Sequence, residues 1–209
     1  SCTPELIAAV SNAGGLGSMP ASLLSPDAMR DQAAKIRQLT DRPFLINLFV
    51  LKTPQPSREE IDRAAELIRP IWESLGWDAL PTPSQWCQDF EAQFDTLIAL
   101  RPAAASFTFD ILTATQVERL HDAGIFVIGT VTTVGEAQAW EEVGADAVVA
   151  SGIESGGHRG TFIGAQEDAT LQARVLWPKV ARAVEIPVIA AGGIMTGIDI
   201  NEALVAGAK

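Results

Sequence analysis

Residues 115–150 read TQVERLHDAGIFVIGTVTTVGEAQAWEEVGADAVVA. An amphipathic stretch, 115–123, passes through Gly124 into the apolar run Ile125-Phe126-Val127-Ile128-Gly129. A second amphipathic stretch, 134–143, passes through Gly144 into Ala147-Val148-Val149-Ala150. Helix, glycine and short buried strand repeat at a spacing of about twenty residues, which is what a tight βα unit requires. The same order runs outward in both directions. Downstream, a helical stretch at 171–184 precedes Ile186-Pro187-Val188-Ile189-Ala190-Ala191, and another at 198–205 runs into Gly207-Ala208-Lys209, where a further strand is due. Upstream, helices are predicted at 5–11 and 27–39 and strands at 16–19, 44–50 and 104–109. Between the last two strands lies a helical insertion over about 55–101: Pro54 and Pro56 mark a loop, a helical pattern covers 58–74, Pro81-Thr82-Pro83 interrupts it, and a second pattern covers 85–100.

Six strands are therefore predicted, starting near Leu16, Phe44, Ala104, Ile125, Ala147 and Pro187. Their nearly continuous apolar character between helices predicts an α/β protein with a parallel sheet buried on both faces. Two architectures accommodate it, a doubly wound open sheet and a (β/α)8 barrel. The regular cadence and the polar, glycine-rich turns after the strands favour the barrel, which needs two more strands. A helix opens the chain and another closes it, so the expectation is one domain over 1–209 forming a TIM barrel truncated at its first and eighth strands.

Composition narrows the functional class. With 47% hydrophobic residues among 209, the chain can bury one substantial core without metals or disulfides. Lys and Arg number 15 against 26 Asp and Glu, and the resulting charge of −11 argues against nucleic acid or an acidic membrane surface as partner. Cys2 and Cys87 form no metal-ligand spacing, which fits free thiols in a reducing cytoplasm. No apolar segment reaches the roughly 18 to 20 residues of a membrane span.

Chemistry is expected after the strand C-termini, where barrel sites are assembled from βα loops. Ser155-Gly156-Gly157-His158-Arg159-Gly160 follows the strand at Ala147 and combines an imidazole that can move a proton near neutral pH with a main chain that a flat or anionic ligand can approach closely. Gly192-Gly193 follows the strand at Pro187 and precedes a helix, an arrangement that can hold a phosphate or serve merely as a tight turn. Asn47 places an amide in an apolar run, as a backbone satisfier or a ligand contact. Glu154 either orients His158, pairs with Arg159 or is solvated, and Arg159 is an anion clamp or a solvated loop residue. Gly14-Gly15 lies where a helix hands over to a strand. His121, on a helix, reads as a surface or packing residue. The five tryptophans read as helix packing, with site lining by Trp72, Trp77 and Trp86 as the alternative.

The whole chain resembles the nitronate monooxygenase (2-nitropropane dioxygenase) family. Four stretches carry the resemblance in order: residues 3–17, TPELIAAVSNAGGLG; Asn47-Leu48-Phe49; residues 152–162, GIESGGHRGTF; and residues 187–194, PVIAAGGI. It implies a (β/α)8 barrel with non-covalent FMN, His158 as catalytic base, Asn47, Ser151, Gly152, Gly156 and Gly157 around the cofactor, and Gly192 with Gly193 at its phosphate. The implied partners are O2 and a small nitronate such as propionate 3-nitronate, converted to a carbonyl compound and nitrite by a cytoplasmic enzyme for which a homodimer is compatible. Ser151 stands where relatives usually carry glutamine, and Met195-Thr196-Gly197-Ile198 replaces the family's frequent Asp-Gly-Arg. Related barrels share the Ser-Gly-Gly-His type of turn, so an enoyl-ACP reductase II or NADH:quinone reductase is the alternative activity. A non-catalytic truncated barrel is the alternative outside enzymes.

Overall fold

A computed structural model of the chain describes residues 2–81, 83 and 85–209. Its strands are β1 (Gly17–Pro20), β2 (Phe44–Phe49), β3 (Ala104–Thr108), β4 (Phe126–Val131), β5 (Ala147–Ser151) and β6 (Val188–Ala191). The helices are α1 (Pro4–Asn12), α2 (Pro26–Leu39), α3 (Arg58–Ser74), α4 (Phe90–Leu100), α5 (Ala114–Asp122), α6 (Val134–Glu142), α7 (Ala173–Ala181) and α8 (Gly197–Val205). A short 3-10 turn, Gln166–Asp168, precedes α7.

The six strands hydrogen-bond in sequential order, β1 to β6, and every neighbouring pair is parallel. A doubly wound sheet would break that order at a switch point where the chain doubles back. Unbroken order with a helix after each strand is the topology of a (β/α)8 barrel, of which these strands form a curled six-strand arc. Lys209 N–H donates to Val188 O at 3.0 Å, at the free edge of β6.

Local chemistry starts the helices where the sequence provides caps. Thr3, Ser25, Ser57, Asp89, Thr113, Thr133 and Thr196 each accept a backbone N–H from the first turn. The cap also explains a difference from the sequence pattern. The helical stretch expected from 85 begins only at Phe90, because Asp89 takes the Ala92 N–H at 2.8 Å and fixes the start there. Likewise the stretch expected over 171–184 is helical only from Ala173 to Ala181. Of the Pro81-Thr82-Pro83 break, Thr82 lies outside the described residues.

The two faces of the sheet differ. Outward, Ile46 and Leu48 of β2, Phe107 of β3, Val127 and Val131 of β4 and Val148 of β5 are buried under Ile36, Phe94, Leu120, Trp140 and Trp177 of the helices. Each large apolar side chain removed from water there contributes roughly 1.5–3 kcal/mol, so this layer carries the fold. Gly129 lets α6 approach: a Cβ at that position would lie 2.3 Å from the Trp140 ring. Inward, Ala104, Ile128 and Ala147 form a smaller cluster with Leu45 and Val149. Phe126 and Ile189, in register with this face, remain 44% and 37% exposed. Within these 209 residues the concave face is thus less covered than the convex one.

Candidate active site

Register assigns the inward side chains. Asn47 pairs with Ser106, Ser106 with Ile128 and Ile128 with Ala147, while Thr130 pairs with Val149 and Val149 with Ile189. Towards the strands' N-terminal ends the inner face is apolar, with Leu45, Ala104 and Phe126. Towards their C-terminal ends it turns polar, with Asn47, Ser106, Thr108, Thr130 and Ser151. Asn47 Nδ2 donates to Ser106 Oγ at 2.9 Å and to Ser106 O at 3.2 Å, which leaves its Oδ1 without a donor among the described residues. The Thr108 hydroxyl donates to Thr130 Oγ1 at 3.3 Å. Ser151, half-buried at the end of β5, has no side-chain hydrogen bond among the described residues.

The loop after β5 crosses the top of this polar patch. Its apex, Gly156-Gly157-His158, is exposed, and Gly157 has φ +85°. The His158 ring stands perpendicular to Phe109, with centroids 5.7 Å apart, and Phe109 stands edge-on to Phe49 at 4.6 Å. Phe109 itself has φ +81°, a left-handed conformation that is unfavourable for a side chain of this size and is held where the chain leaves β3.

Both limbs of the loop are anchored. On the first, Gly152 is buried against α7, where a Cβ would lie 2.4 Å from Ala173 Cα. Gly152 N–H donates to Ala191 O at 3.0 Å, and its carbonyl accepts from Ser155 N and Arg159 Nη1, so its polar groups are engaged within the protein. Arg159 also donates from Nε to Ala169 O at 2.8 Å. Burial pushes its guanidinium below the ordinary arginine value, opposed by the charges of Glu136 and Glu154. The side chain is a strap across the loop rather than a clamp beside His158. Glu154 accepts the Ala173 N–H at 2.8 Å, so it caps α7 and does not orient His158. On the second limb, Gly160 is packed so closely that a Cβ would meet Thr108 Cγ2 at 2.8 Å, and Phe162 N–H and Ile163 N–H donate to Glu136 Oε1 at 2.7 and 3.1 Å.

The turn after β6 lies against the first limb. Gly192 and Gly193 have φ +107° and +67°, and a Cβ on Gly192 would lie 2.8 Å from Ser155 Oγ. That hydroxyl is buried without a hydrogen-bond partner. The N–H groups of Gly192, Gly193 and Ile194 have no acceptor among the described residues. The next two do: Asp199 Oδ2 takes Met195 N–H at 3.0 Å and Thr196 N–H at 2.7 Å. Thus Asn47, Ser151, Gly152, Gly156, Gly157, His158, Gly192 and Gly193 all lie at or just beyond the C-terminal ends of β2, β5 and β6. Gly14-Gly15, by contrast, precedes β1 at the opposite end, and His121 pairs there with Asp146 at 2.9 Å. Trp72 and Trp86 border a groove of about 510 Å³ beside α3 that includes no residue of the His158 loop. Among the described residues, no group of three or more His, Cys, Asp or Glu is placed to hold a metal, and no helix is long and apolar enough to cross a membrane.

Comparison with known proteins bears on the family and the fold. A family model described as nitronate monooxygenase matches residues 1–209. The chain belongs to the nitronate monooxygenase family. It is 37% identical over 210 residues to a probable nitronate monooxygenase of Staphylococcus aureus (strain JH9), covering 100% of this chain and 59% of that protein. With a probable nitronate monooxygenase of Bacillus subtilis (strain 168) the identity is 39% over 207 residues, covering 99% and 59%. The chain therefore spans 59% of the length of these curated relatives. Among solved structures, a nitroalkane oxidase from Streptomyces ansochromogenes superposes with a TM-score of 0.88 at 38% identity, over 99% of this chain and 59% of that one. FabK from Thermotoga maritima gives 0.73 at 31% identity, over 99% and 52%.

Three residues in or beside this site had no role of their own assigned from the sequence. Phe49 and Phe109 read as strand-end apolar residues, and the positive φ of Phe109 has no sequence signature. Glu136 falls within the predicted helical stretch 134–143; in the structure it is the acid of a Thr-x-x-Glu helix cap, with a second set of partners 26 and 27 residues away.

Proposed function

We propose that this chain provides most of the active site of an FMN-dependent nitronate monooxygenase, with His158 as the base that takes the α-proton of a nitroalkane. The observation that carries this reading is an exposed imidazole on a doubly anchored glycine turn, directly beside a glycine cradle with free N–H groups. The donor chemistry suits the cofactor. The N–H groups of Gly192, Gly193 and Ile194 and the unpartnered Ser155 hydroxyl offer converging donors for a phosphate. Asn47 Oδ1, the Ser151 hydroxyl and the threonine pair line a polar floor suited to the edge of a flavin, and Gly156 and Gly157 leave room for a ring to approach. Bound there, FMN would supply the electron acceptor for oxidation of the nitronate, with O2 as the terminal oxidant.

The protein's own steps are positioning and proton transfer. The α-carbon of a nitroalkane is acidic because the nitro group delocalises the resulting negative charge. Transfer of that proton to the His158 imidazole leaves the nitronate and an imidazolium, and the edge of Phe109 fixes where the ring stands. Arg159 is committed to loop carbonyls, so the imidazolium is the positive group this chain sets beside the nascent anion.

His158→Asn in the full-length protein tests the assignment. The variant should retain FMN and lose about 10²- to 10⁴-fold in kcat on a neutral nitroalkane, the usual worth of a positioned base, while oxidising preformed nitronate with much less loss. Equal turnover of the neutral substrate would remove His158 from the role. The likeness to FabK supports a second reading, a flavin-dependent enoyl reductase. NADH oxidation with an enoyl thioester, without nitrite release from a nitronate, would favour it.

A further inference from the structure

Glu136 is fully buried, at 0% exposure, outside the site just described. A carboxylate in that position costs several kcal/mol unless its oxygens are met by donors. Both are met. Oε2 accepts Thr132 N–H at 2.6 Å, the Thr132 hydroxyl at 2.8 Å and Thr133 N–H at 3.2 Å. Oε1 accepts Phe162 N–H at 2.7 Å and Ile163 N–H at 3.1 Å. Because the Thr132 hydroxyl has given its proton to Glu136, the 2.8 Å contact with Thr161 is donated by the Thr161 hydroxyl. Three groups of the His158 loop, at Thr161, Phe162 and Ile163, thus converge on one carboxylate, directly or through Thr132.

Capping α6 does not require this. Among the described residues there are four capping boxes, and in the other three, Ser57 with Glu60, Thr113 with Gln116 and Thr196 with Asp199, the acid or amide is exposed or half-buried. A cap uses one oxygen and the backbone of its own helix start. At Glu136 the second oxygen is given over to a different loop, four and five residues beyond His158. Its counterpart on the near side is the Arg159 strap to Gly152 and Ala169, so the exposed apex is held from both sides.

We infer that Glu136 is a positioning residue of the active site: its buried carboxylate fixes the outgoing limb of the His158 turn to the β4–α6 junction and thereby sets where the imidazole stands. The inference rests on the base role proposed for His158, but its structural half does not. Every partner of the carboxylate is a donor, so in Glu136→Gln the amide NH2 faces N–H groups whichever way it is turned, while volume and packing are kept.

The experiment uses full-length FMN-loaded protein. In Glu136→Gln, amide hydrogen exchange of the peptide spanning 160–165 should rise about tenfold or more, with peptides from β2 and β3 unchanged. Kcat on a neutral nitroalkane should fall about 10- to 100-fold, the scale of a base displaced by about 1 Å, and turnover of preformed nitronate should change far less. The control is a buried polar residue at the opposite end of the sheet. In place of a site residue it uses Ser11, a buried serine that ties α1 to Pro43 O and Gly17 N–H at the N-terminal ends of β1 and β2, the end of the sheet opposite His158, so Ser11→Ala should lower the melting temperature without altering the ratio of the two activities. Should Glu136→Gln fail to fold, Thr161→Val, which removes only the hydroxyl link, should shift exchange and ratio in the same direction by less. Unchanged exchange at 160–165, or a ratio altered no more than by Ser11→Ala, overturns the inference. Faster exchange with a normal His158→Asn profile would instead locate the failure in the base assignment.

Discussion

Gly152 shows how one residue type answers two different demands. Read in sequence, a glycine after a buried strand and before Gly156-Gly157-His158 suggests close approach by a ligand. The structure gives its missing side chain another reason, since a Cβ would lie 2.4 Å from Ala173 Cα and 2.5 Å from Ala173 N, in the helix backbone. Backbone cannot yield as the end of a side chain can. Gly152→Ala should therefore destabilise the fold by about 1–3 kcal/mol in chemical denaturation, as overpacking does, and the folded fraction should bind FMN with little change. A normal denaturation midpoint with weakened FMN would reverse the assignment. Other residues were legible to different degrees. His158, Asn47 and Gly192-Gly193 stand out in sequence because polar or flexible residues interrupt apolar runs, and all three lie at one end of the sheet. The second role of Glu136 and the aromatic bracket of Phe49 and Phe109 were not legible, because both depend on partners brought together only by parallel pairing of distant strands.

At the scale of elements, the order of helices, strands and glycine turns was the readable part. The Thr-x-x-Glu and Ser-x-x-Glu signatures place the starts of α6 and α3 where the structure has them, and Asp89 overrides a longer helical pattern at α4. The start of α8 carries a titratable consequence. Hydrogen bonds from the Thr196 hydroxyl, Met195 N–H and Thr196 N–H, with a smaller contribution from Arg174, lower the Asp199 pKa from the usual 3.8 to about 2. A carboxyl whose folded pKa is depressed stabilises the fold fully above its unfolded value, and that contribution disappears as pH falls through the folded one. Asp199→Asn should accordingly melt below the parent protein at pH 6, and the gap should close between about pH 4 and pH 2. A gap independent of pH across that window would mean the cap acts through geometry alone. The same carboxylate limits the neighbouring cradle, because it consumes the N–H groups of Met195 and Thr196 and leaves only those of Gly192, Gly193 and Ile194 free for an anion.

At the scale of the molecule, the repeated βα cadence determines strand order and direction, and hence which strand ends gather the site. What the cadence cannot convey is how far the sheet closes, because an inward-facing side chain looks equally apolar in a closed or an open barrel. Phe126 and Ile189 belong to the inner face of the six-strand arc, and within these 209 residues they are 44% and 37% exposed. A concave apolar surface of this kind should bind a hydrophobic dye such as anilinonaphthalene sulfonate, since concavity lets a flat ligand bury both faces, unlike a singly exposed side chain such as Leu67 of α3. Paired Phe126→Glu and Ile189→Glu substitutions in the 209-residue chain should abolish most of that fluorescence. Because each side chain is still partly exposed, each substitution should cost only about 1–2 kcal/mol of stability, with the far-ultraviolet circular dichroism unaltered. If the fluorescence persists, the dye sits elsewhere and the inner face is closed in solution. If the strand signal is lost instead, Phe126 and Ile189 are core residues, and the arc closes more tightly than their exposure implies.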